Sequence, residues 1–379
     1  MNPPLKNIRV LEIARILAGP WAGQVLADLG ADVIKVEGIE GDDTRRWGPP
    51  FVRNGDGSED AAYYHATNRG KRSITLDLKS AEGRDRVLSL VTDADVLIEN
   101  FKLGGLAKFG LDYSTLKKLN PRLIYCSITG FGQDGPYAHR AGYDYIIQGM
   151  SGIMDLTGDP DGAPQKIGVA YADVLTGLYS VIAIQSALME RDKSGIGQHI
   201  DMALFDVMTS TLANQAMNYL ISGATPSRMG NAHPNIVPYA VFPCVDGWFI
   251  LAVGNDAQYE RFRGLMNLPL DKRFETNSGR VEHRTELTAL INGATQTFKR
   301  DDLLATLEVA GIPAGPINRV DEAIKDPQIM HRKLVRDAKD PQGRALKTMM
   351  SPIKFSRSEL AEPLASPGLG ASNNDPDWR

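Results

Sequence analysis

Residues 8–14 (IRVLEIA), 19–30 (GPWAGQVLADLG) and 32–37 (DVIKVE) read in order as strand, helix and strand. The two short Val- and Ile-rich runs are the pattern of strands buried on both faces. Between them the apolar residues recur at helical spacing, with Gly19 and Pro20 opening the helix. The alternation continues outward: residues 73–78 (SITLDL), 95–99 (DVLIE) and 122–129 (RLIYCSIT) read as further strands. Residues 80–94 (SAEGRDRVLSLVTDA) read as a helix with Ser80 as N-cap and Val87, Leu88 and Val91 as its apolar stripe. Repeated βα units predict a parallel sheet covered by helices, because right-handed crossovers place the helices on its faces.

A long helix is predicted after Asp173, through VLTGLYSVIAIQSALMERDKS to a stop at Gly195. A second, over 205–223 (FDVMTSTLANQAMNYLISG), reads as a connector. Beyond about 225 the texture changes. GNAHPNIVPYAVF and DGWFILAVG read as a β pair with Asp246-Gly247 between its arms, followed by helices at about 256–266 and 284–297. The expected organisation is a large parallel-sheet domain over 1–200, a helical linker over 201–225 and a smaller α/β domain over 226–334. The Pro/Gly/Asn-rich residues 366–379 read as a loosely ordered tail.

Composition narrows the function. The 379 residues carry 42 Lys plus Arg against 46 Asp plus Glu, a net charge of −4, which argues against a nucleic-acid partner. The sequence reading finds no apolar run that approaches a bilayer span and expects no membrane partner; Glu12 and Arg15 interrupt any secretory signal at the N-terminus. Two cysteines, Cys126 and Cys244, make neither a disulfide framework nor a metal cluster, and the six histidines fall in no metal-ligand spacing. A cytoplasmic protein without a metal is expected.

Asp173, in GVAYADVLTGL, is the carboxylate that stands out. It fits the N-cap of the long helix, and it equally fits an ionised group facing a cleft with helix N–H donors beside it. Cationic and polar clusters follow the strands: Arg15, then Asn68-Arg69-Gly70-Lys71-Arg72, then Asn100-Phe101-Lys102 with Lys108. Ligands of open parallel sheets bind at those strand ends, and scattered Arg and Lys there suit a polyphosphate; each run alone also reads as a solvated loop. The first turn, AGPWAG, lacks the glycine spacing of a dinucleotide-binding loop. No serine elbow or paired cysteine offers another nucleophile.

Taken together, RVLEIARILAGPWAGQVLADLGADVIKVE, GDDTRRWGPP, NRGKRSITLDLKS, DVLIENF, SITGFGQDGP, GVAYADVLTGLYSVIAIQSALMERDKSGIGQHIDMALFD and GIPAGPINRVDEAIKDPQ resemble, in order, the family III CoA-transferases and their relative the 2-methylacyl-CoA racemase. The resemblance implies Asp173 as nucleophile, a CoA site at Arg15, Ile16, Ala18, Lys71, Asn100, Phe101 and Lys108, and an acyl pocket near Leu17, Trp47, Tyr143 and His233. It also implies acyl-CoA and a carboxylic acid as substrates, with no permanently bound cofactor. The architecture it implies is an interlocked homodimer of Rossmann-like large domains, each completed by residues 335–379. GNAHPNIVPY and GDDTRRWGPPFV are similar to transferases of small dicarboxylates. Arg45 or Arg46 could meet a distal carboxylate, or form surface ion pairs. The racemase alternative is disfavoured because Tyr143 stands where racemases carry histidine; a phenol with an ordinary pKa of about 10 is a poor base at neutral pH. A non-catalytic CoA-binding protein is disfavoured by the intact Asp173.

Overall fold

The computed structural model describes residues 2–54, 57–340 and 345–379. Residues 1, 55–56 and 341–344, inside the segments expected to form the large domain, lie outside the described residues. The chain divides into two compact units: residues 1–153, 166–217 and 327–379 form the first, and 154–165 with 218–326 the second.

The first unit is built on a six-stranded sheet. Its strands are β1 (Arg9–Ile13), β2 (Asp32–Glu37), β3 (Arg72–Thr75), β4 (Val96–Glu99), β5 (Ile124–Thr129) and β6 (His199–Ala203), in the order β3-β2-β1-β4-β5-β6 with every pairing parallel. The order runs outward from β1 in one direction and from β4 in the other, so the switch point lies between these two strands. Helix α1 (Ala18–Asp28) follows β1, and α2 (Ala81–Thr92) precedes β4 with Ser80 accepting the Gly83 N–H at 3.0 Å. Helix α3 is Asp144–Met150, and the predicted long helix is α4 (Tyr171–Ser194), ended by Gly195 at φ +77°. Contrary to the sequence expectation, α4 is long and apolar enough to cross a membrane. It buries Val181, Ile184, Ala187 and Leu188 in the cluster formed by β1, β4, β5 and α1.

Two expectations need correction. The segment 205–223 is two helices, Leu204–Ser210 and Ala213–Ser222, with Ala213 at φ +47°. At the break, the hydroxyls of Ser210 and Thr211 donate to the carbonyls of Val207 (2.8 Å) and Met208 (2.9 Å), competing with helix continuation. The C-terminal tail is pinned rather than loose. Asn373 accepts the Thr75 N–H, Ser372 N–H donates to the Ser73 carbonyl, and Trp378 donates its indole N–H to Leu90 at 3.0 Å. It thereby occupies backbone groups of the edge strand β3, which would otherwise be open to pairing.

The second unit packs a three-stranded antiparallel sheet, β7 (Tyr239–Cys244), β8 (Gly247–Ala252) and β9 (Ala314–Pro316), against α5 (Asp256–Leu265), α6 (Arg284–Thr295) and α7 (Arg300–Val309). Phe242, Phe249, Phe262, Leu287 and Leu303 fill its core. The β7–β8 turn is Val245-Asp246, one residue earlier than expected, and Gly247 pairs with Cys244.

Beneath α1 lies a charged core. The side chains of Glu12, Lys35 and Lys71 are fully buried, with Glu12 between the two ammonium groups at 3.1 and 2.8 Å. Lys35 also reaches Asp42 at 3.0 Å and the Ala14 carbonyl at 2.7 Å. Lys71 donates further to the Pro20 carbonyl and to Asn68 Oδ1. Gly23 has no side chain because a Cβ there would overlap the Glu12 carboxylate. Burial pushes Lys71 down to about 8 despite Glu12. The same burial acts on Lys35, but Glu12, Asp42 and Glu37 outweigh it and hold that ammonium above its ordinary range.

Removing one member of such a cluster strands an uncompensated buried charge, at a cost of about 3–5 kcal/mol. Glu12→Gln is therefore expected to lower the stability of the first unit by that amount, or to prevent its folding. A loss below about 1 kcal/mol in a urea titration, within the range of an exposed ion pair, would contradict the arrangement.

Candidate active site

The carboxyl ends of β1 and β4 diverge at the switch point, where open parallel sheets bind ligands. Two hydrogen bonds tie the loops there: Arg15 N–H donates to Asn100 Oδ1 at 3.0 Å, and Asn100 Nδ2 donates to the Arg15 carbonyl at 2.7 Å. Close approach of α1 and α4 depends on small residues. A Cβ on Gly177 would stand 2.8 Å from the Ala18 carbonyl and 3.0 Å from the Trp21 ring, and one on Gly19 would overlap the Ala14 side chain. Gly177 lies one turn after Asp173, so this contact carries the start of α4 to the start of α1.

A cavity of about 330 Å³ opens there. Its lining includes Asp173, Arg15, Ile16, Leu17, Ala18, Asn100, Phe101, Lys108 and Tyr143, all expected from the sequence, together with Lys102, Arg140 and Asp144. Asp173 is half-buried in the first turn of α4, and it is not the N-cap. That position is Ala170, which makes no side-chain cap. The capping carboxylate is Asp144 of α3, which accepts the N–H groups of Ala172 at 2.8 Å and Asp173 at 3.4 Å, and is held by Gln148 Nε2 at 2.8 Å. Asp173 is thereby left free of the structural duty its spacing suggested. Burial pushes its carboxyl up to about 7, the nearby Asp144 adds to the rise, and a hydrogen bond from the Ala18 N–H opposes it.

Four cations line the cavity. Arg15 pairs with Asp43 at 2.9 Å and stays largely exposed. Lys108 lies over the Phe109 ring, Arg140 over the Tyr137 ring at 3.9 Å, and Lys102 completes the set. A second cavity of about 330 Å³ shares Arg15 and Phe101 with the first and is lined further by Gly38, Ile39, Asp77 and Lys79. The sequence reading missed Lys79, because it stands inside a helix-entry pattern rather than a cationic cluster.

Other expected positions lie elsewhere. Lys71 does not reach the cavity: its three N–H groups are used on Glu12, Pro20 and Asn68, leaving no donor for a phosphate. Arg45 is buried, bidentate on Glu37 at 2.7 and 2.8 Å and bonded to Asp60, which removes it as a receptor for a substrate carboxylate. Arg46 is exposed beside Asp43. Trp47 is not among the cavity-lining residues; its ring packs edge-on at 5.4 Å against Tyr63. Tyr63 is a residue sequence reasoning overlooked: burial and the charges of Asp173, Asp144 and Asp42 push its phenol up to about 12. His233 belongs to the second unit, its ring 5.3 Å from that of Tyr239 and its carbonyl accepting from Arg284. Among the described residues, no cluster of three or more His, Cys, Asp or Glu side chains could hold a metal ion.

Residues 5–373 match the family model described as CoA-transferase family III. The chain is 58% identical over 374 residues to the succinate–glutarate CoA-transferase of Agrobacterium fabrum, covering 97% of this chain and 94% of that protein. It is 38% identical over 371 residues to the succinyl-CoA:glutarate CoA-transferase of Homo sapiens, covering 97% and 84%. The crystal structure of a CAIB/BAIF family protein from Brucella suis superposes with a TM-score of 0.90 at 59% identity over the whole of both chains. A carboxylate at the switch-point cavity of a Rossmann-ordered sheet, with matches across nearly the full length, leads to one assignment: the chain belongs to CoA-transferase family III and is an enzyme that transfers CoA.

Proposed function

We propose that this CoA-transferase exchanges CoA between small dicarboxylic acids of the succinate and glutarate class through a covalent intermediate on Asp173. The observation that carries the reading is the half-buried Asp173 carboxyl, displaced from capping by Asp144 and facing the cationic cavity. Relatives named for succinate and glutarate support the substrate class. A desolvated carboxylate is a far better nucleophile than a hydrated one. Attack of an Asp173 oxygen on the thioester carbon of the donor breaks the C–S bond and gives a mixed anhydride and CoA thiolate. The thiolate then attacks the Asp173 carbonyl carbon, releasing the donor acid and leaving an aspartyl-CoA thioester. The acceptor carboxylate attacks that thioester carbon to form a new anhydride and free the thiolate. Attack of the thiolate on the acceptor's acyl carbon yields the product thioester and returns Asp173 as carboxylate. Each step exchanges one activated acyl group for another, with no net proton change.

CoA is too long for a single cavity of about 330 Å³. Its thioester end lies at Asp173 and its nucleotide end in the adjoining cavity, with Arg15, Lys79 and Lys108 as phosphate donors. Arg140 is the receptor for the distal carboxylate, since its planar fork suits bidentate pairing and no carboxylate of the described residues pairs with it. The functional unit is a homodimer. Leu178, Tyr179, Ile182 and Met189 leave an apolar face of α4 exposed, beside Tyr145 and Ile146 of α3, and a second copy of the chain covers it. Two buried, unpaired cysteines suit a reducing compartment such as the cytoplasm.

Asp173→Ala and Asp173→Asn are expected to reduce transfer to below about one per cent while CoA still binds, because one carboxylate carries every covalent step. With succinyl-CoA, hydroxylamine should trap the wild-type intermediate at Asp173, read by peptide mass. Solvent deuterium should not enter the α position of a branched acyl-CoA; rapid α-deuteration without CoA exchange would make the chain a racemase. The reactive form is the carboxylate, so kcat/KM should rise with pH through about 7. Asp144→Asn removes a like charge and should move that midpoint down; an unmoved midpoint would exclude Asp144 as a cause.

Arg140→Leu should cut kcat/KM for glutarate on the order of 100-fold and change that for pentanoate little, both assayed against one acyl-CoA donor. Equal losses for both acids would remove Arg140 from the specificity site. Mass photometry at nanomolar concentration should show the dimer alone, and a folded monomer would contradict the assembly.

A further inference from the structure

The turn that joins β1 to α1 holds a β-branched residue in a conformation that such residues avoid. Ile16 has φ +73°, in the left-handed region where a branched Cβ crowds its own backbone. Conformations of this kind persist only where the surroundings over-determine them. Here the grip is visible atom by atom. Lys35 holds the Ala14 carbonyl, Asn100 holds both backbone groups of Arg15, and the Asp42 carboxylate accepts the Ile16 N–H with its two oxygens at 3.2 and 3.1 Å. Asp42 is itself fixed by Lys35 at 3.0 Å and by the Thr44 hydroxyl at 2.8 Å and N–H at 3.0 Å. Two residues beyond Ile16, Ala18 lines the same cavity as Asp173, its carbonyl lies against Gly177 one turn after Asp173, and its N–H is the backbone donor that opposes the rise of the Asp173 carboxyl.

From this geometry we infer that Asp42 is a positioning residue of the transfer reaction: by holding Ile16 left-handed it aims the Ala18 N–H at Asp173. Asp42 is absent from the lining of the Asp173 cavity and stands in the wall of the adjoining one, where its carboxylate is taken up by Lys35, Thr44 and the Ile16 N–H. The donor it aims matters at two stages. It stabilises the attacking Asp173 carboxylate in one orientation, and it faces the oxyanion that develops when thiolate or acceptor attacks the Asp173 carbonyl. Without the Asp42 grip, Ile16 relaxes toward negative φ, and the Leu17-Ala18 peptide turns away from Asp173. The inference rests on the nucleophilic role of Asp173 and is separable from it by experiment.

The test is second-site rescue. Asp42→Asn should lower kcat at least about tenfold with KM for acyl-CoA changed less than about threefold. Adding Ile16→Gly to Asp42→Asn should restore most of the lost kcat, because glycine enters the left-handed region without the steric cost. Adding Ile16→Val instead should restore none. A residue that matters only for the charged core would show no such selectivity, since a glycine in this turn supplies nothing to Lys35. Should Asp42→Asn fail to fold, Thr44→Val removes the 2.8 Å bond that orients the Asp42 carboxylate, and its smaller loss of kcat should again be reversed by Ile16→Gly and not by Ile16→Val. Equal kcat in the Asp42→Asn or Thr44→Val enzyme and wild type, or failure of Ile16→Gly to rescue, overturns the proposal. Asp173→Asn, measured alongside, reports on the underlying reading: if it still transfers CoA, that reading falls first.

Discussion

The carboxylate of Glu12, sealed between the ammonium groups of Lys35 and Lys71, is the constraint on which the rest of the first unit depends. An ion triplet without solvent contact is expensive to assemble, and apolar residues of similar volume would serve stability at least as well. What the triplet provides is fixed geometry. It requires Gly23 on the overlying helix, which sets how closely α1 can approach β1. Through Lys35 it reaches the Ala14 carbonyl and Asp42, and so reaches the turn that leads into the cavity. Each ammonium donates in at least two directions, so β1, β2 and the entry to β3 cannot shift independently near their carboxyl ends.

A second electrostatic relation separates the two carboxylates at the cavity. Two carboxylates stand at the start of α4, and only Asp144 takes the helix N–H groups. A helix N-terminus ordinarily favours an anion by roughly 0.3–1 kcal/mol. At Asp173 burial and the neighbouring charge of Asp144 outweigh that benefit, so its carboxyl sits near neutrality instead of in the acid range. The division of labour is physical: one carboxylate is engaged by the helix N–H groups, whereas its neighbour is desolvated and destabilised as an anion, the condition the proposed chemistry requires.

The parallel sheet, its first two strands and α4 were legible in the sequence, the strands as short apolar runs set between turn and helix signals and α4 as a long apolar segment with a clear stop at Gly195. Legibility failed where a long-range partner decides the outcome. Asp173 carried every local mark of an N-cap, but the cap comes from Asp144, 29 positions earlier. Lys71 lies in a cationic run that looks like a phosphate site, and its burial follows from Glu12, 59 positions away. Arg45 and Arg46 are adjacent in sequence and opposite in fate, one locked on Glu37 and Asp60, the other at the surface. Polar residues 366–379 have the composition of a loose tail, yet they follow an open strand edge whose unpaired groups they satisfy.

These features bear on a demand peculiar to the carboxylate nucleophile proposed above. A serine or cysteine enzyme returns its nucleophile once, after a single acyl intermediate. In the proposed reaction the same Asp173 must first attack through oxygen and then be attacked at its own carbonyl carbon, from a nearby but different direction. A flexible carboxylate would meet one of these geometries at the expense of the other. Packing of Gly177 against Ala18 and the Asp144 bond to the Asp173 N–H hold the Asp173 backbone still, so that only its side-chain torsions need to change between the two proposed attacks. A misplacement of an ångström at this point carries a large rate penalty. The charged core beneath α1, no more stabilising than apolar residues of similar volume would be, fixes the turn on the other side of the same cavity through Ala14 and Asp42.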